Sequence, residues 1–454
     1  MSNMIQNASN YALAFQAVDI TSKEMRNAIC EWYDLYFQSV AGKHEDPCQR
    51  IPYTIVQKLT KTVFSEYTAT AKTEGDAFVS AILSALDLRH AEAMQMALIG
   101  GECALKPVPE KSGIWFAVVP RHNMLVFTRD ADGTMTDVGT IEQSAKDKYY
   151  YTLLERRSVD ENGYLTIRNK LYRAYDKNQL GQPVSLNSLP EYADLPEEYT
   201  FQQPVGSIGM VPLKTPMVNC VDGSHDSVSV YAAAVGLIHN ININEAQLNG
   251  EFDRGQSRIV VSSDMFGKDR DGKPTITDNV FVGLDDDQKT VGFNIFSPEL
   301  REASFLARKQ EYLRNVENVI GLKRGLLSEV EAAERTATEI TSSAGEYNLS
   351  IIDFQRMWEN MVKEAMRLCG ILGQMYQVDG AHAVEDDAFS IDWGNGILYD
   401  ENKAWDDYKN MVSTGLLKPE IALGWRFGMP TETEEDLAAI RKKYMPAAVE
   451  EEVE

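Results

Sequence analysis

Two long runs of helical spacing, parted by a glycine-flanked break, limit the architectures open to this chain. Phe305, Leu306, Leu313, Val316 and Ile320 recur at helical intervals up to Gly321, with Ser297 and Pro298 as an N-cap and first-turn pair. That run is about 23 residues, roughly 34 Å of rod at 1.5 Å per residue. After the break, Ile351, Trp358, Met361, Val362, Ala365, Cys369, Leu372 and Tyr376 form the apolar side of a longer helix. Two capping-box patterns compete for its start, Ser328 with Glu331 and Thr336 with Glu339, and the small polar run TSSAGE around Gly345 marks a kink. Lys323 and Arg324 stand in the break itself, where a basic pair taken alone reads as a surface turn.

The rest of the chain alternates in character. From Ser22 to about Ile99 the spacing is helical: Met25, Ile29, Trp32 and Tyr36 share a stripe, Ile55, Leu59 and Val63 another, and a third helix runs from Ala77 through Met96 to the stop at Gly100 and Gly101. Short β-like runs follow, with Asp-Gly and Asn-Gly turn signals at 130–133 and 160–163 that predict an antiparallel meander ending near Cys220. A Pro-rich connection over 180–216 packs along that domain. Ser224 or Asp226 then caps a helix with Leu237, Ile241, Leu248 and Phe252 on one stripe. A β-rich interruption occupies Ser257 to about Phe296. Beyond the longest helix come one strand-like run, FSIDWGNGI, two short helices around WDDYKNMVSTGLL and TEEDLAAIRKKYM, and an acidic tail.

Charge excludes one class of function. Sixty-eight acidic residues against 44 basic ones give a formal charge of -24. A protein that wraps nucleic acid by neutralising phosphates needs many Lys and Arg on one face. DNA as a passing cargo is not excluded, because a wall that repels phosphate suits a polymer that slides past. A hydrophobic content of 44% is that of an ordinary globular protein, and 454 residues suffice for two or three domains. Five widely spaced cysteines without a CxxC pair point to a reducing compartment rather than a disulfide scaffold or a zinc site. No basic leader precedes an apolar core at the N-terminus and no apolar run reaches 18 residues, so neither a signal peptide nor a membrane span is expected.

Chemistry leaves few traces. The chain lacks GxxxxGK[ST], HExxH and GxSxG patterns, and its six histidines never pair at helical metal-ligand spacing. Ser224-His225-Asp226-Ser227 holds nucleophile, base and acid types side by side, but triads assemble in space, and a helix cap explains the cluster better. Asp285, Asp286 and Asp287 lack the spacing of an EF-hand loop and read as a solvated turn. No enzyme activity, cofactor or metal is expected.

The order of parts resembles the portal proteins of tailed bacteriophages, in particular the siphophage portal family of Gram-positive hosts. The likeness covers nearly the whole chain. Its sharpest pieces are ALIGGECALKPV at 97–108 with the aromatic strands after it, ERTATEITSSAGEYN at 334–348, and LLKPEIALGWRFGMPTETEEDLAAIRKKY at 416–444. The resemblance implies an α+β, mostly helical, ring-forming fold. Its parts would be a wing over 1–222, a first stem helix over 223–256, a clip over 257–296, a second stem helix over 297–320, a tunnel loop over 321–335, a long kinked wing helix over 336–378, and a C-terminal crown and wing segment over 379–454. It implies a dodecamer at one capsid vertex of the virion, formed in the host cytoplasm during assembly. Its partners would be the terminase large subunit, a head-tail adaptor, major capsid and scaffolding proteins, and double-stranded DNA passing through the channel.

In that scheme Lys323 and Arg324 face DNA, while Lys268, Arg270 and Lys273 of GKDRDGKP form an exposed docking rim on the clip. The residues also allow plainer readings. Lys323 and Arg324 can bridge Glu329, Glu331 or Glu334, and GKDRDGKP can be a solvated hairpin tip. The whole chain can equally be another minor capsid or head-tail connector component without a channel, or an enzyme with a nonstandard site at Ser224–Ser227.

Overall fold

The computed structural model describes residues 8–37, 48–255, 258–261, 266–268, 271, 274–276, 293–296, 300–329, 337–394, 401–431 and 433–445. The chain opens with α1 (Ala8–Phe15), α2 (Lys23–Phe37), α3 (Ile51–Val63), β1 (Thr68–Ala71), α4 (Ala77–Asp87) and α5 (His90–Gly100). The single helix expected from Ala77 through Met96 is therefore two. The His90 ring bonds the Asp87 carbonyl that a continuing helix would use, which ends α4 without a Gly or Pro.

Nine strands follow: β2 (Glu102–Glu110), β3 (Gly113–Pro120), β4 (Met124–Arg129), β5 (Met135–Lys146), β6 (Tyr149–Val159), β7 (Leu165–Ala174), β8 (Gln182–Val184), β9 (Glu198–Thr200) and β10 (Val211–Lys214). β10, β2 and β3 form one antiparallel sheet, and β4 to β8 form the expected meander, with β9 also on β7. The turns at 130–134 and 160–164 are longer than two residues. In each the leading carboxylate closes the loop: Asp130 accepts from the backbone N–H of Asp132 and Thr134, and Asp160 from those of Asn162 and Tyr164. α1 was not foreseen. Its Tyr11 and Phe15 are buried on the meander against Leu125, Phe127, Ile141 and Leu154.

Next come α6 (Val235–Arg254), β11 (Arg258–Val261), β12 (Phe266–Lys268), β13 (Pro274–Ile276), β14 (Phe293–Phe296), α7 (Glu302–Ile320) and α8 (Ala337–Met375). β11 pairs with β14 and β12 with β13, both antiparallel. α6 and α7 also run antiparallel, since Glu245 pairs with Lys309 while Glu251, further along α6, pairs with Arg301, before the start of α7. α8 runs 39 residues, without interruption at Gly345, and buries Ile351, Phe354, Trp358, Met361, Val362, Ala365, Cys369 and Leu372. The chain closes with β15 (Phe389–Asp392), α9 (Glu401–Ser413), α10 (Pro419–Phe427) and α11 (Glu434–Tyr444).

Met1–Thr60 and Ala77–Asp386 form one compact unit; Lys61–Asp76 and Asp387–Glu454 form a second. The strand expected in FSIDWGNGI is present as β15, and its partner is β1 of the second unit, with Ala69 opposite Ile391. The C-terminal helices number three among the described residues, because Pro419–Phe427 forms α10 between the two that were expected.

Candidate nucleic-acid interface at the turn after α7

Gly321 ends α7 in the left-handed region, φ 78°. Its N–H bonds the Asn318 carbonyl and that of Leu322 bonds the Glu317 carbonyl, the paired bonds of a Schellman end that only a glycine enters without strain. The chain then turns back on the helix. Glu317, fully buried on α7, accepts from the backbone N–H of Gly325 at 3.1 Å to Oε1, of Leu327 at 2.5 Å and of Ser328 at 2.9 Å, and from the Ser328 hydroxyl at 2.7 Å to Oε2. Two more anchors hold the turn: Gln310 Oε1 accepts from the Glu329 N–H at 2.8 Å, and Lys58 of α3 donates to the Leu326 carbonyl.

Lys323 and Arg324 stand exposed on this anchored base. Neither is ion-paired to Glu329, so among the described residues the self-bridging alternative does not form; Glu331 and Glu334 lie outside them. The Ser328 hydroxyl proton is committed to Glu317, and the described helix begins at Ala337, beyond the Ser328 box; Glu331 and Thr336, the other terms of the two competing boxes, lie outside the described residues. Sequence reasoning passed over Glu317. Its signal was a carboxylate set within the apolar stripe of Leu313, Val316 and Ile320, where an acid needs a built partner.

The other candidates fall elsewhere. Lys268 closes β12, with Pro274 as its partner across the hairpin, while Arg270 and Lys273 lie outside the described residues, as do Asp285, Asp286 and Asp287. The Ser224–Ser227 cluster does not converge. Asp226 turns inward to a buried network in which Arg129 Nη2 lies 2.7 Å and Arg121 Nη2 3.4 Å from its Oδ1, with Glu102 Oε1 2.9 Å from Arg121 Nε. Burial pulls the Arg121 guanidinium down, but Glu102, Asp226 and Asp19 outweigh it and hold the group above its ordinary value. The His225 ring instead packs over Gly133, and Ser224 Oγ accepts from Asn219 Nδ2. Asp226 is therefore no helix cap, and α6 starts at Val235, 11 residues beyond the expected Ser224.

Among the described residues no three His, Cys, Asp or Glu side chains gather in a way that could hold a metal, and no helix is long and apolar enough to cross a membrane. No family model and no curated protein matches the sequence. Solved structures are similar to it, among them two from gene transfer agent particles. One is a chain of the virion of a native gene transfer agent particle, 11% identical with a TM-score of 0.45 over 88% of this chain and 94% of that one. The other is a chain from the neck of a native gene transfer agent particle, computed with C12 symmetry; it is 11% identical with a TM-score of 0.47 over 92% of this chain and 98% of that one.

Proposed function

We propose that this chain is a phage portal protein: a subunit of a ring-shaped channel at one capsid vertex, through which DNA is packaged, retained and ejected. The observation that carries the reading is the run from α6 to α8. An antiparallel helix pair is interrupted by a small β-rich insertion and leads, through a turn presenting two cations with no ion-pair partner among the described residues, into a 39-residue helix. That is the order stem, clip, stem, tunnel loop and wing helix which the sequence resemblance implies. The protein performs no chemistry of its own; a terminase ATPase docks on the clip and drives DNA, and head-tail adaptors replace it. Around a dodecamer, Lys323 and Arg324 form a circle of cations in an otherwise acidic wall. They touch phosphates transiently while the wall prevents tight adhesion.

Negative-stain electron microscopy of the purified protein, with light scattering for mass, tests this. Rings with a central hole are expected, alone or on adding scaffolding and capsid proteins. A compact monomer or dimer that persists with those proteins present overturns the reading.

A further inference from the structure

Glu317 is surrounded by the apolar residues of its own helix, and no described Lys, Arg or His pairs with it. A carboxylate removed from water must be compensated, and here the turn supplies the whole compensation through three backbone N–H groups and one hydroxyl. Backbone N–H groups of Gly325, Leu327 and Ser328 converging in this way form a nest of the kind that binds oxyanions. We propose that Glu317 is the positioning residue of the basic turn: its carboxylate fills the nest that the turn would otherwise offer to a phosphate, fixing residues 325–328 on α7 and leaving only the Lys323 and Arg324 side chains for DNA. The last clause rests on the portal reading; the nest itself does not.

The consequence is mechanical. A phosphate seated on three backbone N–H groups and a hydroxyl would be a fixed stop, whereas two cations on flexible stems exchange partners as the polymer moves. With the nest occupied from within, the turn keeps its charge and offers no seat.

Limited trypsin digestion of the full chain, followed by mass spectrometry, reads the turn directly because Lys323 and Arg324 are themselves the cleavage sites. The wild type should resist. Glu317→Gln directs an amide NH2 at N–H donors, and Glu317→Ala leaves four donors unpaired, so cleavage there should accelerate about ten-fold or more. In Glu317→Ala, acetate or inorganic phosphate should slow that cleavage again, with no effect on the wild type. Wild-type protection in both variants overturns the positioning role, and rapid cleavage that neither anion slows overturns the nest. If Glu317→Ala does not fold, Ser328→Ala removes one donor and keeps the carboxylate; unchanged cleavage in that variant also overturns the proposal. Packaging by Lys323→Ala/Arg324→Ala separates the two layers: full DNA content per capsid sinks the DNA-facing reading and leaves the digestion result standing.

Discussion

Glu155 on β6 carries two cations in the wall of a cleft of ≈ 850 Å³: Lys106 Nζ at 3.3 Å and Arg157 Nε at 2.7 Å. Burial pushes its carboxyl up, but Arg157 and Lys106 outweigh burial and hold it at about 2. The folded pKa is thus depressed below the ordinary 4.5, so the stability it contributes is present above pH 4.5 and lost as pH falls through about 2. Glu155→Gln should lower the unfolding free energy by about 3 kcal/mol at pH 7, leaving the buried Arg157 and the partly buried Lys106 short of their anion, and urea titrations should show the gap to wild type closing below pH 4.5. A gap unchanged at pH 3 would contradict the linkage. His122 acts in the same direction: burial depresses its imidazole to about 4, so the unfolded chain takes up a proton below 6.5 that the folded one refuses. None of these partners was legible in sequence. Glu155 and Arg157 read as ordinary strand residues, because Lys106 is 49 positions from Glu155 and only the fold brings it near.

At the scale of elements, period was legible, and so was the start of α8, which begins at Ala337 directly after Thr336, whereas the starts of α6 and α7 were not. Most of the apolar stripes of α6, α7 and α8 follow from 3.6-residue spacing, which any long helix must display to bury one face, but Phe252, Leu306 and Tyr376, expected on them, stand exposed. The starts of α6 and α7 depend on distant partners. Asp226 looked like a cap but bonds arginines 97 and 105 positions away. α7 begins after Arg301, whose N–H and guanidinium bind Glu251 of α6 rather than any local cap. Glycines show the same contrast. Gly101, at the end of α5, has φ +84°, and a Cβ there would lie 2.3 Å from the Ser227 carbonyl oxygen. Gly236, near the start of α6, would bring its Cβ into open space. Gly101→Ala should therefore cost about 2 kcal/mol or more, while Gly236→Ala should be neutral or stabilise by up to about 1 kcal/mol. Thermal unfolding of the two variants beside the wild type checks the pair, and similar melting temperatures for both would refute the steric argument.

For the whole molecule, charge and exposed apolar surface pull in opposite directions. A chain with a formal charge of -24 repels copies of itself, so any ring must be closed by contacts strong enough to overcome that field. The α6–α7 pair offers such contacts: Ile243 is 53% exposed, Leu306 44%, Phe252 42% and Val319 50%. Each of these side chains is about half buried in the isolated subunit, and full burial by a neighbour would add about 1 kcal/mol apiece, roughly half the value for a fully exposed side chain. If the ring reading holds, Ile243→Glu/Leu306→Glu should leave the circular dichroism spectrum and melting temperature of the monomer nearly unchanged, because neither site lies in the core. The same double variant should lose the high-mass species in light scattering, since each interface would then bury two added carboxylates. Salt offers an independent check on the sign. Screening weakens repulsion between acidic subunits, so raising ionic strength should favour assembly of the wild type, while the same change weakens any contact of Lys323 and Arg324 with DNA. An assembly that dissolves as salt is raised, or a double variant that still closes, would mean that α6 and α7 face inward within one chain, and the channel would have to be built from other surfaces.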